Sequence, residues 1–250
     1  MDYLTHQMEF VTTVADLDFR DRLKPSSILQ FFQDIAIEHA NILGFGLETL
    51  LPQNCFWVLT KVSAEILSSP KMYERIKIVT YPRTPAPVEA TRDYYIYDSN
   101  DNLIVRGTSK WCILDIASKM IRRTMPFFSH LEGANFYPND AIAGGCTRLK
   151  APERGGDDMG ELEVRITDMD RNRHMNNARY ADVILNFEDI AWLDDKSVSK
   201  FEVNFLSEMP YGGRAKIIRH SEGNKRFFRG VKSDDRDAFF IAVEYDECKK

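Results

Sequence analysis

Two stretches of this chain, 152 residues apart, spell the same plan. Asp16-Leu17-Asp18 aligns with Asp168-Met169-Asp170, and Leu23 with Met175, at that offset. Further along, Phe32-Gln33-Asp34-Ile35-Ala36 aligns with Phe187-Glu188-Asp189-Ile190-Ala191 at an offset of 155, so the register shifts by three residues near the start of the second helical segment. An internal duplication of this length means that one supersecondary unit is built twice, and it constrains the fold before any other signal does.

In the first copy, Ile28, Phe32, Ile35, Ala36 and His39 recur at spacings of three and four behind Pro25-Ser26-Ser27, which predicts a helix. In the second, Tyr180, Val183, Ile184, Phe187 and Ile190 form the matching stripe behind Asn176-Asn177, which predicts a helix over 178–192. Strand-like segments follow each helix: 56–66, 74–82, 90–98 and 103–115 after the first, then 197–206, 214–222, 225–233 and 237–245 after the second. Each copy reads as one helix followed by antiparallel strands, an α+β plan. Residues 150–161, KAPERGGDDMGE, are rich in Gly, Pro and charge and read as a connection, with a new strand pattern opening at Leu162. The predicted organisation is an N-terminal unit over 1–135, a linker over 136–160 and a C-terminal unit over 161–250.

With 44% hydrophobic and 28% charged residues in a chain of 250, the protein can bury a substantial core and is globular rather than disordered. No apolar run approaches the roughly 20 residues that a membrane span requires. The N-terminus has no basic stretch followed by an apolar one, so neither a secretory signal nor a transit segment is expected. Cys55, Cys112, Cys146 and Cys248 show no metal-ligand spacing and read as reduced thiols of a cytoplasmic protein. A net charge of −5 argues against a protein that coats nucleic acid.

The densest polar text is TDMDRNRHMNNARY at 167–180. If it is extended, Asp170, Asn172 and His174 share one face and Arg171 and Arg173 the other. A solvated loop whose asparagines cap the next helix would explain part of this composition. Three features favour chemistry instead. His174 is one of only five histidines and sits in polar text, Asp170 is spaced to orient its imidazole, and the helix start behind them offers backbone N–H groups to a developing oxyanion. Asp170 and His174 as metal ligands lack a third partner in register, so no metal and no cofactor is expected. His6, His39, His130 and His220 fall in terminal, helical, loop and strand text and read as structural. Cys55, Cys112 and Cys146 lie in or beside apolar strands, a poor setting for a nucleophile.

The string Asp170-x-Asn172-x-His174-x-Asn176-Asn177-x-x-Tyr180, in a duplicated helix-and-sheet chain, resembles the acyl-ACP thioesterases of plants and bacteria. The likeness covers nearly the whole chain and includes Asp16, Asp18, Phe56-Trp57-Val58-Leu59, Arg92-Asp93-Tyr94-Tyr95 and Ser109-Lys110-Trp111. It implies two fused hotdog domains, each a long helix wrapped by an antiparallel sheet. It also implies hydrolysis of fatty acyl-ACP to a free fatty acid and acyl carrier protein, ending fatty acid elongation. Asp170, Asn172 and His174 carry over as catalytic residues, and Glu208 in FLSEMPYGGR matches the family's downstream acid. Met209 stands where the family often has a cysteine, which rules out a cysteine nucleophile at that position. Water would attack directly, with Glu208 preferred as the base and Asp170 as its partner or orienter, and the sequence leaves the division between the two open.

The same resemblance implies substrate contacts at Asn176, Asn177, Tyr180 and Trp57. Arg20 and Arg22 stand over Asn172 and His174, so the first half keeps no catalytic set and would supply the acyl-chain groove through Phe31, Phe32, Phe56, Trp57 and Trp111. Arg171, Arg173 and Arg179, with Lys119, Arg122 and Arg123, are the candidates for docking an acidic carrier protein. An acyl-CoA thioesterase and a catalytically silent acyl-binding protein are the alternatives, and a homodimer is compatible with either.

Overall fold

The computed structural model describes residues 4–152 and 155–247. Cys248, and Glu153 and Arg154 of the predicted linker, lie outside the described residues. The first half runs β1 (His6–Val11), α1 (Pro25–Ile42), the single turn α2 (Leu47–Leu50), β2 (Cys55–Ile66), β3 (Arg75–Pro82), β4 (Ala90–Tyr97), β5 (Leu103–Asp115), β6 (Ile121–Arg122) and α3 (Met125–Phe128). The second runs β7 (Asp157–Glu163), the short turns α4 (Asn177–Tyr180), α5 (Val183–Asn186) and α6 (Ile190–Leu193), then β8 (Lys196–Phe205), β9 (Arg214–Glu222), β10 (Lys225–Lys232) and β11 (Asp237–Glu247).

The strands form one 11-stranded sheet in the order β1-β3-β4-β5-β2-β8-β11-β10-β9-β7, with β6 on β5. Matched to its repeat, each strand occupies the same place counted from its own edge, and β2 and β8 adjoin at the centre. The class is α+β, a large antiparallel sheet with few helices. All eight predicted strands appear with ends within two residues of the expected ones, because alternation such as that of β3, where Ile76, Ile78 and Thr80 are buried, is a strong signal. Among the described residues, no helix is long and apolar enough to cross a membrane.

Helix α1 begins as expected, with Pro25 in the first turn, where its missing N–H leaves no bond unmade. It buries Ile28, Phe32, Ile35 and His39 against the sheet. Phe32 stacks on Tyr94 with ring centroids 4.1 Å apart. It lies so close over Gly107 that a β-carbon there would come within 2.2 Å of the ring, so only glycine permits this contact. The main core is continuous across the repeat, joining Ile28, Val62 and Tyr94 to Ile184, Phe201, Phe239 and Tyr245. A smaller cluster of Phe45, Leu50, Cys55, Phe127 and Phe128 gathers around α2 and α3.

The predicted helix over 178–192 is corrected to three separate turns. Its apolar stripe is real, since Tyr180, Val183 and Ile184 are buried, but the backbone does not continue. Side chains from the sheet claim its carbonyls: Tyr245 Oη donates to Ile184 O at 2.9 Å, and Arg219 Nη1 to Phe187 O at 3.3 Å. Phe187 leaves helical geometry at φ −112°, ψ 25°, and Asp189 starts a fresh turn by accepting from the N–H groups of Ala191 (2.7 Å) and Trp192 (3.2 Å). The strand β7 opens at Asp157, ahead of the pattern at Leu162. Its early part is held by ion pairs, Asp157 with Arg219 (3.5 Å) and Asp158 with Lys216 (2.8 Å), and no apolar alternation marks it.

Between α3 and β7 the chain is strapped to the sheet. The carboxylate of Glu202 on β8 accepts from Thr147 N (2.6 Å) and Thr147 Oγ1 (3.0 Å), while Asn204 Oδ1 accepts from Leu149 N (3.0 Å). On the other half, Arg83 joins Asp93 (3.1 Å) to Asp140 (2.8 Å).

His39 is almost fully buried beside Arg92, with Nδ1 2.9 Å from Arg92 Nη1, and its ring stacks on His6 at 5.4 Å. Burial, then the neighbouring charges of Arg92 and His6, push its pKa from 6.5 down to about 3. Unfolding at mildly acidic pH therefore takes up a proton here. The stabilising contribution is whole above pH 6.5 and is lost as pH falls toward 3. In denaturant titrations, stability should fall on acidification through that window, and the slope should be shallower in His39→Gln.

Candidate active site

The polar stretch is a tight loop, and its alternation does not extend through it. Met169 bridges Met175, Asp170 N donates to His174 O at 2.8 Å, and Arg173 closes the turn with a left-handed φ of 62°. Asp170 Oδ1 accepts from the N–H groups of Asn172 (2.8 Å) and His174 (3.3 Å), while Asn172 Nδ2 approaches Oδ2 at 3.5 Å. The first half contains the same loop bond for bond. Leu17 bridges Leu23, Asp18 N donates to Arg22 O at 2.7 Å, Asp21 takes φ 57°, and Asp18 Oδ1 accepts from Arg20 N (2.8 Å) and Arg22 N (3.0 Å). Of the two aspartate positions that both copies keep, Asp18 and Asp170 are thus the pair that shapes the loop.

The copies differ in what the loop displays. In the first, Arg20 reaches the second half, donating to the carbonyls of Asp194 (2.9 Å) and Lys196. In the second, His174 pairs with Pro210 through an isolated bridge and Met175 N donates to Met209 O at 2.8 Å, which docks the segment leaving β8 against the loop. Glu208 thereby comes to lie with Oε2 3.5 Å from His174 Nε2, the two side chains 57% and 35% exposed and facing solvent. Met209, beside it, is buried and serves as the apolar anchor of that segment.

The remaining candidates fall into separate settings. Asn176 caps α4, its Oδ1 accepting from Ala178 N at 2.9 Å. The Asn177 N–H has no acceptor among the described residues, and Asn177 lines a small cavity of about 10 Å³ with Phe32, Tyr94 and Trp111 of the first half. Tyr180 is a core residue, edge-on to Phe205 and Phe239 at 5.2 Å each, and burial raises its phenol pKa. Trp57 belongs to a cleft of about 80 Å³ in the first half, with Nε1 donating to Phe45 O at 2.9 Å. Trp111 lines both spaces.

Of the basic candidates, Arg179 pairs with Asp182 (3.4 Å) and Arg122 with Asp115 (2.9 Å). Arg171, Arg173, Lys119 and Arg123 are exposed. Cys55, Cys112 and Cys146 are buried, and burial raises the thiol pKa of Cys112 and Cys146, the reverse of what a nucleophile needs. Among the described residues, no group of three or more His, Cys, Asp or Glu side chains is placed to hold a metal ion. Sequence reasoning overlooked Arg92 as a pocket residue. Its signal was a charged Arg92-Asp93 pair inside the otherwise apolar and aromatic β4, ATRDYYIY.

Comparison with known proteins gives two matches of family description, "Acyl-ACP thioesterase N-terminal domain" over residues 3–129 and "Acyl-ACP thioesterase C-terminal domain" over residues 153–238. The oleoyl-acyl carrier protein thioesterase of Coriandrum sativum is 22% identical over 205 residues, covering 74% of this chain and 54% of that protein. The chain thus spans about half the length of the curated relatives it matches. The structure of a 12:0-ACP thioesterase from Umbellularia californica superposes with a TM-score of 0.86 at 15% identity, covering 99% of both chains. An acyl-ACP thioesterase from Bacteroides thetaiotaomicron gives 0.80 at 20% identity, covering 97% of this chain and 98% of its own. At such identities the structural likeness speaks for the fold.

If Asp18 and Asp170 shape their loops as the bonds indicate, Asp18→Ala and Asp170→Ala should each lower the melting temperature by several degrees, read by thermal denaturation. Asp170→Asn, which keeps an acceptor oxygen, should melt near the wild type.

Proposed function

The chain belongs to the acyl-ACP thioesterase family, and from that premise we propose that it hydrolyses the thioester of fatty acyl-ACP, releasing a free fatty acid and the carrier thiol. The observation that carries this reading is the convergence of Glu208 on His174 at 3.5 Å, from separate segments of the chain, at the copy of the loop where Asn172 and His174 stand in the places of Arg20 and Arg22. The architecture we propose is two hotdog domains, residues 1–135 and 161–250, joined by 136–160. The matched strand order counted from each edge supports it.

Glu208 acts as the base. Its carboxylate takes a proton from water as the water oxygen bonds to the carbonyl carbon, and His174 orients that carboxylate. Collapse of the tetrahedral intermediate breaks the C–S bond, and the proton passes to the departing sulfur. Asp170 is a positioning residue, since its oxygens are engaged by its own loop and Asp18 performs the same task where no chemistry remains. The free Asn177 N–H is the donor available to the developing oxyanion. Since α4 is a single turn, the donor's effect comes from direct hydrogen bonding more than from a macrodipole. The acyl chain runs past Asn177 and Trp111 toward Trp57, a path supported by the two spaces that share Trp111. Acyl carrier protein docks through Arg171 and Arg173, which are exposed and carry no acidic partner among the described residues.

Steady-state hydrolysis of matched acyl-ACP and acyl-CoA substrates tests the reading. Glu208→Gln and His174→Ala should each lower kcat by at least about 10² with little change in melting temperature. Asp170→Asn should stay within about tenfold of wild type, as a general base would not. Normal turnover by a folded Glu208→Gln protein would end this mechanism. Arg171→Ala should raise KM for acyl-ACP, more at low than at high salt, and leave kcat nearly unchanged. Replacing the cysteines by alanine, or adding a chelator, should leave turnover within a small factor. Chelator inactivation that zinc restores would revive a metal mechanism.

A further inference from the structure

The cleft of the first half is walled by Ala36, Ala40, Phe45, Trp57, Trp111 and Phe128, yet it also contains Arg92. Arg92 is only 6% exposed. Its Nη1 meets His39 Nδ1 at 2.9 Å and Thr80 Oγ1 at 3.3 Å, and both partners are uncharged, since burial keeps His39 neutral at physiological pH. Asp93, next in the strand, does not compensate it: that carboxylate pairs with Arg83, which also lines the cleft and is further engaged by Asp140. The hydrogen bonds of the guanidinium to the described residues are made by Nη1; Nη2 and Nε are not fully buried unpaired atoms, and the residue lines the cleft. A guanidinium keeps its proton even when desolvated, so a buried, uncompensated one is a standing demand for an anion.

A planar guanidinium is matched best by a carboxylate, which accepts two parallel hydrogen bonds, and the apolar walls suit a hydrocarbon. We infer that this cleft binds an aliphatic chain ending in a carboxylate, with that carboxylate on Arg92. The site itself rests on the geometry of the cleft, and only the origin of its ligand rests on the thioesterase reading. Two origins share the chemistry: the released fatty acid, bound carboxylate-first as an inhibitor, or an acyl-ACP whose far end carries a second carboxylate.

Calorimetry on the full chain with octanoate and 1-octanol tests the site without turnover. Octanoate should bind at least about tenfold tighter than the alcohol, and Arg92→Met should abolish that preference while leaving octanol binding within a few-fold. Should Arg92→Met fail to fold, Ala40→Leu fills the cleft with Arg92 in place and should weaken octanoate by at least about tenfold. Equal affinity for acid and alcohol in the wild type, a preference that survives Arg92→Met, or octanoate binding indifferent to Ala40→Leu would each overturn the inference. Turnover then assigns the origin. Faster hydrolysis of ω-carboxyoctanoyl-ACP than of octanoyl-ACP, reversed by Arg92→Met, places the carboxylate on the substrate. Competitive inhibition by octanoate that Arg92→Met relieves places it on the product. If octanoate binds with the stated preference but no thioester is hydrolysed, the site stands and the thioesterase reading fails.

Discussion

Where β2 meets β8, Val62 lies opposite Val203 and Ser63 opposite Glu202, and this ladder makes a single sheet of the two repeats. Glu65 on β2 spans the junction, bound to Lys200 of β8 at 3.0 Å and to Arg106 of β5 at 2.6 Å. Over Lys61–Glu65 and Lys200–Asn204 the two strands would otherwise present unpaired N–H and C=O groups on their facing edges. Because the ladder sets the repeats side by side, α1 touches α4, and Asn177 of the second repeat reaches a cavity walled by Phe32 and Tyr94 of the first. The same seam supplies Glu202 and Asn204, which hold the connecting segment at Thr147 and Leu149. The candidate site and its approach from the first repeat are consequences of one pairing register.

The duplicated loop separates what its own shape requires from what differs between the two copies. Asp18 and Asp170 make the same bonds to their own backbones, so a carboxylate at that position belongs to loop shape. Asn172 and His174 have no such counterpart, because Arg20 and Arg22 occupy those places. Glu208 joins only because the buried Met209 and the Met175–Met209 bond bring its segment in. Within one molecule, the first copy is a control for the second.

Much of this was legible in the sequence, and what was not has definite causes. The duplication, α1 and eight strands followed from period and turn residues, since a strand half-buried in a sheet alternates whatever lies around it. The break in the second helix was hidden, because Tyr245 and Arg219, which take its carbonyls, sit far downstream. The start of β7 was hidden because ion pairs stabilise it where apolar alternation would ordinarily mark it. β1 alternates strictly, but its inward face of His6, Met8 and Phe10 is only half-buried at a sheet edge, and the polar His6 and the exposed Val11 blur the apolar pattern in the text. At the site, Asp170, Asn172 and His174 stood out as local text. No spacing rule connects His174 to Glu208, and family resemblance alone pointed there. Trp57 and Asn177 read as one set of substrate contacts but line different spaces, joined only through Trp111.

Arg20 ties the first loop to the second half. In an assembly of two identical chains, each loop would carry the same residues, and neither could specialise without changing the other. In the present chain the first loop's arginine holds the carbonyls of Asp194 and Lys196 across the repeat. The second loop keeps its histidine. Carried on one chain, the two loops are free to differ, and through Arg20 the first loop relies on the second half. Cut apart, the first repeat would carry an arginine without those two carbonyls to hold, and the second would lose the Phe32 and Tyr94 walls of the cavity that Asn177 lines.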